Sequence, residues 1–155
     1  MRVVIQRVSE ASVTVDGIVT GKIDKGFLLL VGVSKGDTSN EAVVMAEKIS
    51  KMRIFEDENG KMNLSLFDVC GSVLAVSQFT LCADCRRGNR PDYLNAAPPR
   101  EANELYELFC EEMKKKNIPV EKGIFGADMK VSLLNDGPVT IVLDSEDLKK
   151  SRNEK

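Results

Sequence analysis

Apolar and polar positions change their period several times along the chain, and each change marks an element. Val13-Thr14-Val15 alternates up to Asp16-Gly17, a two-residue hairpin signal, and an extended segment resumes from Ile18 to Ile23. A hairpin is therefore expected near the start. Phe27-Leu28-Leu29-Leu30-Val31 is apolar at consecutive positions and bounded by glycines, the pattern of a strand covered on both faces. Such a strand belongs at the centre of a sheet.

The period then lengthens. Thr38-Ser39-Asn40-Glu41 has the capping-box spacing, and Ala42, Met45, Ala46, Ile49 and Met52 follow on one helical face. Arg53-Ile54-Phe55, a polar stretch ending in Asn59-Gly60, and Lys61 to Leu66 read as a strand, a turn and a second extended segment. Val73-Leu74-Ala75-Val76 is another apolar strand, running into Ser77-Gln78-Phe79-Thr80-Leu81. From Ala83 to Pro99 the chain is rich in Arg, Gly, Asn and Pro and reads as a long surface loop.

Pro98-Pro99 opens a second helix, with Ala102, Leu105, Leu108, Phe109 and Met113 on its apolar face and Lys114-Lys115-Lys116 near its C-terminal end. Val120, Met129 to Leu134 and Val139 to Leu143 supply closing strands. Two helices among about seven strands predict a mixed α/β single domain, its helices layered on a sheet that curls or doubles. The domain is expected to end near residue 145, with 146–155 a charged, frayed tail.

Composition narrows the chemistry. The 155 residues contain no histidine, which removes Ser-His-Asp and Cys-His triads, histidine-ligated metals and a histidine switch. Lys+Arg of 22 against Asp+Glu of 24 gives a formal charge of −2, so any nucleic-acid site must be a local patch. The start, Met1-Arg2-Val3-Val4-Ile5-Gln6-Arg7, is broken by charge too early for a signal-peptide core, and a soluble, cytoplasmic protein with no membrane partner is expected. Cys70, Cys82, Cys85 and Cys110 then read as reduced thiols.

Five constellations invite a chemical reading. Cys82-Ala83-Asp84-Cys85 is an incidental pair of thiols, a redox couple or half of a zinc site. Arg86, Arg87 and Arg90, with Arg100 downstream, form either a phosphate-binding loop or a solvated loop with internal ion pairs. Glu56-Asp57-Glu58 is a solvated turn, since consecutive side chains do not converge on one point. Ser77-Gln78-Phe79-Thr80 is a strand end with hydrogen-bonding side chains or a set of oxyanion donors. Asn135-Asp136-Gly137-Pro138-Val139-Thr140 reads as a turn between two strands or as a rigid backbone reader.

Four segments in order, Ser77-Gln78-Phe79-Thr80-Leu81, Arg87-Gly88-Asn89-Arg90-Pro91 with Ala96-Ala97-Pro98-Pro99, Gly126-Ala127-Asp128-Met129, and Asn135 to Thr140, resemble the D-aminoacyl-tRNA deacylase family. The resemblance runs from Gln6-Arg7-Val8 to Leu143. It implies three layers, helices packed on curved, barrel-like sheets, and a homodimer in which Gly137-Pro138, as a cis peptide, enters the partner's site and excludes L side chains. It further implies that Gln78, Phe79 and Thr80 are catalytic, that Ser77, Met129, Asn135, Gly137 and Pro138 bind the substrate, and that Arg86, Arg87 and Arg90 meet the tRNA.

The implied reaction is hydrolysis of the ester between a D-amino acid, or mischarged glycine, and the 3′-terminal adenosine of tRNA, without a metal or cofactor. In the family the substrate's own 2′-hydroxyl and backbone donors carry the reaction, with Thr80 an alternative nucleophile. Cys82 departs from the tyrosine or other bulky residue the family often has there. Two rival readings use other classes: a tRNA-binding module without catalysis, resting on the arginine loop, and a thiol redox or metal protein, resting on Cys82 and Cys85.

Overall fold

The computed structural model describes residues 1–151 and 153. Strand β1 (Arg2–Val15) organises the sheet because it is long enough to serve several partners. Its first half pairs antiparallel with β3 (Gly26–Gly32), and its second half pairs with β2 (Ile18–Ile23) across the expected turn at Asp16-Gly17. Along its other edge lies β8 (Lys130–Asp144).

Two crossovers complete the sheet. Helix α1 (Ser39–Ser50) and the small β4–β5 hairpin (Phe55–Glu56 and Met62–Leu64) lead to β6 (Ser72–Ser77), parallel to β3. Helix α2 (Pro99–Lys114) leads to β7 (Val120–Lys122), parallel to β6. Parallel neighbours need such crossovers, and both helices lie on the same face. The order is β2-β1-β3-β6-β7, with β8 on β1, so the apolar run at Phe27 takes the central place its pattern predicts. Strand β2 also packs on β6 and β7, and the sheet curls nearly into a barrel.

The core has two parts. Phe27, Leu29, Val31, Val73 and Ala75 face the helices and meet Ala42, Met45, Ile49, Tyr106 and Phe109. Leu28, Leu74 and Val76, their neighbours in sequence, face the barrel interior with Val8, Val13 and Ile23. Period-two alternation in strands buried on both sides thus feeds both parts at once.

Local chemistry fixes the helix starts. Thr38 caps α1, and the Glu41 carboxylate accepts the Thr38 N–H at 2.6 Å and its hydroxyl at 2.7 Å, completing the capping box. These bonds, with Lys149 nearby, lower the Glu41 pKa to about 2. Helix α2 begins at Pro99, where the missing N–H costs nothing. Its buried stripe differs from expectation: Tyr106 and Cys110 are buried, while Leu105 and Leu108 flank them half-buried.

Other expectations need correction. Asn135 to Thr140 is no turn between strands, because both flanks pair with β1 in one direction and the chain never reverses. The strand expected at Arg53-Ile54-Phe55 is reduced to the pair Phe55–Glu56. Strand β6 stops at Ser77, and Phe79–Cys82 forms a 3-10 turn. The 146–155 tail begins in order: α3 (Ser145–Leu148) is capped by Asp144, and the buried Ser145 hydroxyl accepts from the Met1 ammonium at 2.8 Å. The end of that tail, at 152, 154 and 155, lies outside the described residues. Among the described residues no helix is long and apolar enough to cross a membrane.

Candidate active site and the exposed bulge on β8

A cavity of about 700 Å³ opens at the carboxyl ends of the parallel strands β3 and β6, where crossover sheets place their ligand crevices. Val31, Val33, Val76 and Ser77 come from the strand ends. The 93–99 segment and the first turn of α2 form one wall, and residues 125–129 form the other. Polar chemistry is sparse among mostly apolar and aromatic side chains.

The mouth is shaped by the 3-10 turn. The Gln78 N–H donates to the Val31 carbonyl at 2.8 Å, extending the β3–β6 pairing by one residue, and the Leu81 N–H returns to the Gln78 carbonyl at 3.2 Å. Gly32 permits this approach, since a Cβ there would lie 2.9 Å from the Leu81 Cβ. Because the turn starts at Phe79, the N–H groups of Phe79 and Thr80 precede its internal bonds and donate to no acceptor among the described residues. The Gln78 amide donates to the Thr80 hydroxyl.

Titratable side chains are few in the lining: Lys35, Tyr93, Tyr106 and Asp128. Burial pushes the Tyr106 phenol far above its ordinary range and the neighbouring Cys110 thiol up to about 12. The Tyr106 hydroxyl instead donates to the Ala75 carbonyl at 2.7 Å. Asp128, 87% exposed, pairs with Lys130 at 3.4 Å. Lys35 is the only cation in the lining, and its ammonium has no partner among the described residues.

Of the expected site residues, Ser77, Gln78, Phe79 and Met129 line the cavity, and Thr80 does not. Asn135, Gly137 and Pro138 lie apart from it. Gln6 pairs with Thr140 and Val8 with Asn135, so residues 136–139 stand opposite Arg7 alone and are extruded from the ladder as a bulge. Asp136, Gly137 and Pro138 are exposed, and the Gly137-Pro138 bond is cis.

The bulge is held from within. Arg7, only 6% exposed, donates to the Asp136 carbonyl at 3.1 Å and to the Ile54 carbonyl at 2.7 Å. With its amide oriented to satisfy every polar atom, Asn135 donates to the Val139 carbonyl at 3.1 Å and the Arg7 carbonyl at 3.0 Å, and accepts the Thr140 hydroxyl at 2.8 Å. Asn135 therefore staples the base of the bulge. Gly137 adopts φ +124°, and a Cβ there would lie 2.8 Å from Arg7 Nη2.

The arginine loop divides. Arg86 forks onto Asp84 at 2.7 to 3.1 Å, the internal ion pair of the blander reading, and holds the Asp84 pKa near about 2. Arg87 and Arg90 are exposed and have no partner among the described residues, and none of the three lines the cavity. Cys82 is buried, its thiol donating to the Val33 carbonyl at 3.5 Å, while Cys85 is exposed. Among the described residues no three metal-ligating side chains gather. Periodicity did not single out Lys35, Tyr93, Tyr106 and Phe125 for the cavity; the only hint was that Tyr106 lies one turn after Ala102.

The family described as D-Tyr-tRNA(Tyr) deacylase matches residues 4–144. The chain belongs to that family. The deacylase match spans both the cavity and the β8 bulge. Similar curated proteins include the D-aminoacyl-tRNA deacylase of Bacillus cytotoxicus, 58% identical over 94% of this chain and 100% of that protein. The deacylase of Thermomicrobium roseum is 58% identical over 96% of this chain and 97% of its own. A solved structure named c-Myc DNA Unwinding Element Binding Protein is 42% identical with a TM-score of 0.86, over 93% of this chain and 98% of that one. A probable eukaryotic D-amino acid tRNA deacylase shares the fold at a TM-score of 0.75 and 15% identity, over 92% of this chain and 97% of its own.

Proposed function

We propose that this chain is a D-aminoacyl-tRNA deacylase, a hydrolase that cleaves the ester joining a D-amino acid to the 3′-terminal adenosine of tRNA. The observation that carries the reading is the free N–H of Phe79, a residue of the cavity lining, followed in the same turn by the free N–H of Thr80, while the one carboxylate of the lining, Asp128, is paired with Lys130. An aminoacyl ester is already activated, and what it most lacks is stabilisation of the oxyanion. One preorganised donor contributes about 3–4 kcal/mol in comparable hydrolases.

The step balances simply. Water adds to the ester carbonyl, the oxyanion is held by the backbone donors, and the tetrahedral species collapses by expelling the ribose 3′-oxygen, which takes up a proton. The substrate's 2′-hydroxyl, one bond sequence away from the leaving oxygen, relays that proton. Thr80 is not required as a nucleophile in this scheme, since its side chain lies outside the lining and has no base beside it. Arg87 and Arg90 supply charge for the acceptor stem.

Chiral selection falls to the bulge. Gly137 and Pro138 do not line the cavity of their own chain, so in this reading they meet a substrate only in a second copy of the chain. Exposed Leu134 and Val142 flank the bulge on the same strand and supply apolar surface for a homodimer. The Gly137 and Pro138 carbonyls, in a bulge that Arg7 anchors through the Asp136 carbonyl, meet the substrate amino group and leave no room for an L side chain, while admitting D residues and glycine. A rigid reader rejects by clash, the form of discrimination that binding affinity alone cannot reach.

The test is deacylation of matched D-tyrosyl-, L-tyrosyl- and glycyl-tRNA in EDTA against the spontaneous rate, with sedimentation to count subunits. Rapid loss of the D and glycyl esters by a dimer is expected. Equal rates for D- and L-tyrosyl-tRNA would remove the chiral reader, and no acceleration of any ester would leave only a tRNA-binding role.

A further inference from the structure

Lys35 and Tyr93 line the cavity and have no part in the ester cleavage proposed above. Lys35, Phe79 and Tyr93 all line the cavity and all remain exposed, Phe79 at 56% and Tyr93 at 40%. The two rings pack edge to face, with centroids 5.1 Å apart at 76°, an arrangement that still leaves ring surface open to water. Beside them stands the one unpartnered cation of the lining.

This rim is preassembled. The Lys35 N–H donates to the Asn95 carbonyl at 2.9 Å, and the Ala97 N–H donates to the Val33 carbonyl at 3.0 Å. Ser34 and Ala96 form a bridge between these two bonds. At the other end of the loop, Asp84 and Asp92 exchange both backbone bonds, at 2.8 and 3.0 Å. Tyr93 is thus held by backbone contacts on either side, to Asp84 before it and to the segment that carries Lys35 after it.

We propose that Lys35, Tyr93 and Phe79 form a subsite for the second nucleotide from the RNA 3′ end. The Lys35 ammonium pairs with the phosphodiester that links this nucleotide to the terminal adenosine, and its base stacks on the exposed face of Tyr93, which Phe79 buttresses. The inference rests on the deacylase reading, which puts an RNA 3′ end in the cavity. A phosphate entering there finds no other cation in the lining, since Arg86 is committed to Asp84 and Arg87 and Arg90 lie outside it. Exposed aromatics beside a lone cation are the elements with which proteins hold single-stranded RNA.

Calorimetric binding of adenosine and of the dinucleotide CpA to the intact protein tests this without requiring turnover. The wild type is expected to bind CpA roughly tenfold or more tightly than adenosine, the scale of one stacked base. That preference should weaken with salt, with a slope of about −0.7 for one phosphate on a single strand. Lys35→Met should abolish the salt slope and most of the preference, and Lys35→Arg should retain both. Tyr93→Leu should lose about tenfold on CpA while keeping the salt slope.

Unchanged adenosine affinity in each variant shows that the cavity is still folded. A CpA-to-adenosine ratio left at its wild-type value by both Lys35→Met and Tyr93→Leu overturns the subsite and leaves the deacylase reading standing. A wild type that binds neither ligand overturns both.

Discussion

The cavity and the β8 bulge are built on opposite plans. The cavity draws its walls from segments spread between Val31 and Val131, each held by its own core packing or backbone bonds. The bulge is four consecutive residues held by one arginine and one asparagine. Many independent supports make the cavity tolerant, since losing one leaves the others in place. Few supports make the bulge brittle, and brittleness suits a part whose work is to refuse a shape. Substitutions at the bulge should therefore have large effects on selectivity, and substitutions behind the cavity should have small effects on everything.

Gly137→Ala should produce the largest effect. At φ +124° an L residue is strained, and the added methyl meets the Arg7 guanidinium, which is itself bonded to Asp136 and Ile54 and cannot withdraw freely. The bulge must move instead. A displacement of about 1 Å at a positioning element typically costs on the order of 100-fold in kcat/KM, so D-tyrosyl-tRNA cleavage should fall by that order and D/L discrimination with it. Circular dichroism should show the fold intact, because Gly137 is exposed and contributes nothing to either core. Wild-type discrimination in this variant would break the comparison at its stronger end.

How far the sequence anticipates the two regions depends on the range of the interactions that make them. The capping box at Thr38, the turn at Asp16-Gly17 and the central strand at Phe27 are local patterns, and all stand where the pattern places them. The continuity of β8 is not local: it exists because β1 is long enough to pair with both of its halves, and a Gly-Pro flanked by Asn-Asp carries the local signature of a turn. Tyr106 falls outside the apolar face read from the helix, yet it is buried and its ring also reaches the cavity. Lys35 sits in a Lys-Gly-Asp turn that reads as solvated surface. The residue types at Ser77–Thr80 and Gly137-Pro138 favour a plain strand end and a plain turn, and the family resemblance is what tips both toward a site.

Thr80→Val sharpens the comparison inside the cavity mouth. The substitution removes the hydroxyl that accepts from Gln78 but keeps the Thr80 N–H and the shape of the side chain. If the backbone donors carry the oxyanion, kcat should fall less than about tenfold, the scale of one neutral hydrogen bond. Loss of a nucleophile would instead remove nearly all turnover, as in other enzymes with covalent intermediates. Single-turnover deacylation of D-tyrosyl-tRNA separates the two, and near-complete loss with an intact fold would reassign the chemistry to the side chain.

Tyr106→Phe should have the smallest effect. The Tyr106 hydroxyl is the first donor to the Ala75 carbonyl, but the Gly123 N–H also donates to that carbonyl at 3.2 Å. Phenylalanine keeps the ring packed beside Phe125 and adds no unsatisfied polar atom, so the buried acceptor retains one partner. The cost belongs near the middle of the range for a neutral hydrogen bond, about 1 kcal/mol, and kcat/KM should stay within about threefold. Urea unfolding with an unchanged slope would give that figure directly. A loss well above about 3 kcal/mol, or a collapse of turnover in a stable variant, would show that the cavity also hangs on a single contact, and the contrast with the bulge would then fail because the cavity has no redundancy.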